Sequence, residues 1–417
     1  LSKHYFPQRV TEGNNFNSGL LPFFIFFIAF VAITPILSFF GWRGIYTLVF
    51  FLLFVSIYAL RKGRGLKWWF IGIILLILST STVTAMYWAD PRYIVSLIFL
   101  ISALYAIQFV DKIIIDKVVD IASYFFLVML VLAVMGFFLA QSGVDPVLKF
   151  PNPDGRPNYF FYLTLTNSYL GNFIRPSGIY DEPGTLSFYV TFVAAMRHLL
   201  KKDNKLTWIL LIFGFITFSL AHLIYVFFHF LSEKFSKKNT LRFSGLITLL
   251  IVFLFSSGIH QIFSDRLISR LVVSEDGSIA GDNRSFRMIN VVDLIEKNSY
   301  VFWFGADPSC RFDYSVCKQL FPLMGENPLS PLAFQGFLVS WPYYLSVFML
   351  VLSPLFGRRY LVCMGIALIL IQRPAVTGLG GAMITVMVIY LMIDSIAHRL
   401  NNKRVNPFLE RKSSHLQ

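Results

Sequence analysis

Long apolar runs separated by short, cation-bearing polar stretches set the rhythm of this chain. Runs of roughly 17–25 apolar residues can cross the hydrocarbon core of a bilayer as helices. They fall at about 21–40, 45–60, 68–88, 93–110, 121–140, 185–200, 243–258, 332–356, 360–372 and 382–396. The run 206–231 is long for one helix and short for two. Lys201, Lys202 and Lys205 precede it; Lys234, Lys237, Lys238 and Arg242 follow it. Both flanks belong on the cytoplasmic side by the positive-inside rule. The run is therefore expected to fold back as a helical hairpin or re-entrant pair, turning near Phe218-Ser219-Leu220-Ala221. The fold class this predicts is an all-α polytopic integral membrane protein, with about 12 transmembrane helices and both termini inside.

Composition agrees with that pattern. Hydrophobic residues make up 56% of the 417 and charged residues only 14%, against about 25% charged in a soluble domain. Of the 36 Lys and Arg, 23 fall in the segments assigned to the cytoplasm. Seven of the others lie in one long loop, 259–331, and long loops are translocated largely regardless of charge. The net charge of +14 is spread over many short loops. It reads as orientation signal and contact with anionic membrane lipid, with no nucleic acid as partner. The first apolar run lacks a small-residue cleavage site and is expected to be a retained span. The chain 1–417 thus reads as a single membrane domain with two polar segments on one face, 141–184 and the larger 259–331. An enzyme whose site opens to that face would carry its chemistry there.

The first segment ends in Arg175-Pro-Ser-Gly-Ile-Tyr-Asp-Glu-Pro-Gly184, at the lip of a span. Ionisable groups so close to lipid are costly to keep. Arg175 is either an anchor for an anionic substrate or an interfacial arginine reaching for headgroups. Glu182 precedes Pro183 at a helix start, where the helix dipole favours a carboxylate. It serves either as a cap paired with Arg175 or as a general base; Asp181 and Glu326 are alternative acids. In the second segment, Asp282-Asn283 is placed to cap an amphipathic helix. Arg284 and Arg287 lie on one face of that helix, as a diphosphate clamp or as an ordinary solvated face. Asn327 adjoins Glu326 in a turn before a span, where capping is the plain alternative. His222 sits at the hairpin turn, as a structural residue or a site residue. Arg373, in the last external turn, is a candidate addition to the anion site. Tyr180, with neighbouring aromatics, is either a sugar-stacking platform or part of an interfacial belt. A Cys310–Cys317 disulfide is open if the compartment is oxidising, as are two free thiols. No metal ligand set, P-loop or DxD-like motif stands out, so no cofactor is expected.

Arg175-x-x-Gly178-x-x-x-Glu182-Pro183 resembles the R-x-x-G…E-P signature of Wzy-type O-antigen polymerases. The second loop, with Asn283-Arg284…Arg287, a Phe-Gly turn and Glu326-Asn327 before a span, is similar to the same family. The related O-antigen ligases usually read His-Asn where this chain has Glu326-Asn327. The resemblance implies a metal-independent glycosyltransferase of the bacterial inner membrane, with its site facing the periplasm. An undecaprenyl-diphosphate-linked oligosaccharide would be donor and a second lipid-linked unit acceptor, with a chain-length regulator protein as a partner. It implies that Arg284, Arg287 and Arg175 hold the diphosphate, and that Glu182 activates or orients the acceptor. Asp181, Tyr180, Glu326, Asn327, His222 and Arg373 would border the substrate. A ligase and a lipid-linked oligosaccharide flippase are the competing readings.

Overall fold

A computed structural model describes residues 17–32, 34, 35, 37, 44–63, 65–151, 157–170, 173–233, 245, 248, 283–308, 327–374 and 378–414. Most of the expected crossing at 243–258 lies outside the described residues, as do Cys310, Cys317 and Glu326. The described chain is predominantly helical. Its amino-terminal helices are α1 (Asn17–Phe26), which runs on into a π-helical turn Phe27–Val31, then α2 (Gly44–Arg61), α3 (Trp68–Trp88), α4 (Ile98–Phe109) and α5 (Lys112–Gln141). A segment of short strands intervenes. It is followed by α6 (Pro183–Leu199), α7 (Asn204–Gly214), α8 (Leu220–Ser232), α9 (Asn283–Lys297), α10 (Tyr300–Phe304), α11 (Ser330–Gln335), α12 (Phe337–Leu352), α13 (Leu361–Gln372) and α14 (Leu379–Ser414).

Among the described residues, five helical stretches are long and apolar enough to cross a membrane: Trp68–Trp88, Arg92–Phe109, Lys112–Gln141, Phe337–Phe356 and Leu379–Asn401. Shorter apolar helices cover Gly19–Val31, Ile45–Arg61, Asn204–Thr217 and Leu220–Ser232. Large apolar side chains such as Trp68, Met86, Ile113 and Leu355 lie on the bundle surface. Such a surface is stable against lipid and not against water, so the chain is membrane-embedded.

The run 206–231 folds as a helical hairpin. α7 ends in a 3-10 turn, Phe218 takes the left-handed conformation (φ +49°), and α8 starts after Ser219. The His222 imidazole bonds the Leu211 carbonyl at 2.7 Å, and Trp208 reaches Glu233 at 2.9 Å. Those cross-links make the two helices antiparallel.

At the centre is α6, buried on nearly every face, as an interior helix must be when it is apolar all round. It packs against α5, α7, α8, α13 and α14. Arg197, near its carboxy-terminal end, is 3% exposed. Its guanidinium is held by Thr207 Oγ1 (2.9 Å), Ser123 Oγ (3.0 Å) and the Asp203 carbonyl (3.0 Å). Lys202 pairs with Asp116 and Asp120 nearby. This end of the bundle is rich in lysine and arginine; the amino-terminal end of α6 carries Glu182.

The all-α expectation fails in segment 141–184. Strands β1 (Leu148–Pro151), β2 (Pro157–Phe161) and β3 (Thr164–Thr166) form an antiparallel sheet, and β4 (Tyr169–Leu170) pairs with β5 (Phe173–Ile174). The β2–β3 turn is made by Tyr162 with φ +50°. Backbone groups buried away from water need partners, and a meander supplies them with few residues.

Candidate functional site

The sheet delivers the chain to Arg175 in a fixed pose. Arg175 N donates to the Ser168 carbonyl at 3.0 Å, and Thr166 Oγ1 donates to the Arg175 carbonyl at 2.7 Å. Next, Ser177 N and Gly178 O bond the backbone of Leu165. Gly178 is at φ +64°, a conformation glycine adopts without penalty. A Ser177–Tyr180 turn then leads into α6.

Arg175 does not pair with Glu182. Its Nε and Nη2 donate to the carbonyls of Thr217 (3.2 Å) and Phe218 (3.1 Å). Carbonyls ending a helix carry partial negative charge, so a guanidinium fits there. Arg175 therefore fastens the strand segment to the α7–α8 turn.

Glu182 is the N-cap residue of α6, with extended backbone and no side-chain capping bond. Its carboxylate instead forms an ion pair with Arg373, just beyond the end of α13. Arg373 forks: Nη2 meets Glu182 and Nη1 donates to Thr185 Oγ1 at 2.5 Å. The Thr185 hydroxyl in turn donates to Asp181 Oδ1 at 3.0 Å, which also accepts the Glu182 N–H at 2.9 Å. The guanidinium lies over Gly184, where even an added Cβ would be 3.7 Å from Nη1. Two carboxylates, one hydroxyl and one guanidinium thus share the first turn of the central helix. The Glu182 and Arg373 side chains are 22% and 21% exposed. Beside it, Pro374 lines a small cleft whose other walls include Leu97, Leu100, Gln335, Tyr343 and Thr385.

Other expected site residues have structural duties. Tyr180 is 1% exposed, donates to the Phe30 carbonyl at 2.8 Å and stacks on Tyr189. Its ring is a core element and has no face left for a sugar. His222 is fully buried against Gly214 and bonded to Leu211, closing the hairpin. Asn327 is fully buried and its Oδ1 accepts the Leu329 N–H at 2.7 Å, a local turn bond ahead of α11.

Helix α9 starts at Asn283, with Arg284 in its first turn and Arg287 half-buried, while Asp282 of the expected cap lies outside the described residues. It packs on α10 and α11, and Arg287 makes no contact with Glu182 or Arg373 among the described residues. Sequence reasoning overlooked Thr185, although Asp181-x-x-x-Thr185 is helix spacing that puts both groups at one helix start. Among the described residues no three His, Cys, Asp or Glu side chains are arranged to hold a metal ion. No family model, curated protein or solved structure matches this chain.

Proposed function

We propose that this chain is a glycosyltransferase that polymerises lipid-linked oligosaccharide repeat units in the bacterial inner membrane, with its site facing the periplasm. The observation that supports this most is the Glu182–Arg373 pair, partly open at the start of the buried central helix, with Asp181 and Thr185 in contact. The R-x-x-G…E-P resemblance supports it from the sequence. A hydroxyl of the acceptor sugar attacks C1 of the donor and the C1–O bond to polyprenyl diphosphate breaks. The hydroxyl proton passes to a carboxylate, Glu182 or Asp181, and the diphosphate departs as an anion. Arg373 is placed to stabilise that anion, as a fixed cation in a partly desolvated site does without reorganising. An anion competing for Arg373 would loosen its grip on Glu182 and free the base as substrate arrives.

The test is chain length of the surface glycan. A deletion strain is expected to carry single repeat units, restored to long chains by the wild-type gene. Arg373→Ala and Glu182→Gln should each reduce extension by about 10²-fold or more with the protein still in the membrane. Loss of all attached glycan on deletion would identify a ligase, repeat units trapped inside would identify a flippase, and unchanged long chains would end the proposal.

A further inference from the structure

A second concentration of ionisable side chains lies at the opposite end of α6 from Glu182. His198 in the last turn of α6, His229 on α8 and Glu233 just past α8 converge there. His229 has no solvent exposure and Glu233 is 7% exposed. His229 Nε2 lies 3.9 Å from Glu233 Oε1 and makes no hydrogen bond; Nδ1 faces the Tyr225 hydroxyl at 3.3 Å. The His198 and His229 rings meet edge to face with centroids 5.2 Å apart. Trp208 donates its indole N–H to the same Glu233 oxygen, and its ring stands edge-on to His229 at 5.4 Å. Arg359, ahead of α13, donates to the His198 and Leu199 carbonyls, and buried Cys363 faces Tyr225.

Two imidazoles and a carboxylate inside a bundle of spans are expensive to keep. Packing alone would be served better by apolar side chains of the same size. One imidazole nitrogen also points at a carboxylate across a gap too long for a neutral hydrogen bond. We propose that His198, His229 and Glu233 form a proton-binding site at the lysine-rich end of the bundle. His229 Nε2 takes up one proton from water at that face, with Glu233 as its counter-charge; no other bond forms or breaks. Among the described residues, the charged and titratable groups facing this proton are His198 from α6, Tyr225 and Glu233 from α8 and its end, and Arg359 and Cys363 from the start of α13. The site is independent of the reaction assigned to the other end of the molecule.

Trp208 is a built-in reporter, because a protonated imidazole quenches an adjacent indole. The chain has seven Trp, so the signal is wild-type emission minus that of Trp208→Phe, taken on the full chain in lipid nanodiscs from pH 8 down to about pH 3. It is expected to fall with one midpoint. His229→Gln should flatten the titration. Glu233→Gln keeps an acceptor for the indole but removes the counter-charge, and should lower the midpoint by about one pH unit, a tenfold loss of proton affinity. Circular dichroism at each pH checks that the fold persists. A difference signal independent of pH, a titration that survives in His229→Gln, or a midpoint unmoved by Glu233→Gln would each overturn the proposal. If His229→Gln does not fold, the Glu233→Gln midpoint decides.

Discussion

At Gly336 the backbone turns through φ +69° between α11 and α12. A Cβ there would lie 2.3 Å from the Trp303 carbonyl oxygen and 2.5 Å from the Gly305 nitrogen. Both obstacles are backbone and cannot rotate away. At Gly178, also left-handed, the obstacle is the Met129 methyl at 2.4 Å, the end of a flexible side chain. Gly336→Ala is therefore expected to destabilise by more than about 2 kcal/mol, the left-handed penalty plus an unrelieved clash. Gly178→Ala should cost less, and Met129→Ala should recover part of that cost. Melting curves of the purified variants followed by gel filtration check the order; equal losses would refute it. At this scale the sequence was half legible. Glu182 stood out because a carboxylate before a proline at a span is conspicuous, but its partner Arg373 is 191 residues away, and spacing along a chain carries no sign of such a contact. Tyr180 and His222 stayed open between a structural and a site role because a buried ring and a ligand-facing ring have the same composition around them.

Among the elements, helix α7 starts on a side-chain cap, Asp203. The Asp203 carboxylate accepts the N–H groups of Lys205 (3.2 Å) and Leu206 (3.4 Å). Chiefly the Lys205 N–H holds its carboxyl below the usual carboxylate range. A carboxyl lowered on folding contributes stability above its unfolded value, near 3.9, and loses it as pH falls through the folded value. Asp203→Asn should keep the cap and remove that acid-side loss; Asp203→Ala should lower the melting temperature at pH 7 as well. Equal acid sensitivity in wild type and Asp203→Asn would show that Asp203 plays no part. The α7–α8 hairpin was legible because charges on both flanks of an over-long run demand an even number of passes. The strands of segment 141–184 were not, although Pro153-Asp154-Gly155 is turn chemistry. Strands of two to five residues show too few alternations, and their aromatics resemble an interfacial belt.

Across the described residues of the whole molecule the charges are polarised, and that polarity predicts a testable orientation. α5 runs about 45 Å from Lys112 to Gln141, and α6 returns from Pro183 to Leu199. Lys202 pairs with Asp116 and Asp120, and Lys112 pairs with Asp394. Those bonds gather the start of α5, the end of α6 and residue 394 of α14 at one end. Arg197, Arg358, Arg359 and Arg399 lie there too, while Arg373 and Glu182 mark the other end. The positive-inside rule predicts that the lysine-rich end faces the cytoplasm. In a background with Cys310, Cys317 and Cys363 replaced by Ser, Ser142→Cys should react with an impermeant maleimide in intact spheroplasts. Lys202→Cys should react only after permeabilisation. The labels test more than topology, because the glycosyl-transfer proposal needs Glu182 and Arg373 on the side where lipid-linked units are extended. Reaction of Lys202→Cys from outside, with Ser142→Cys protected, would invert the molecule and remove that proposal. The proton site would survive the inversion, since its geometry does not depend on which face it meets.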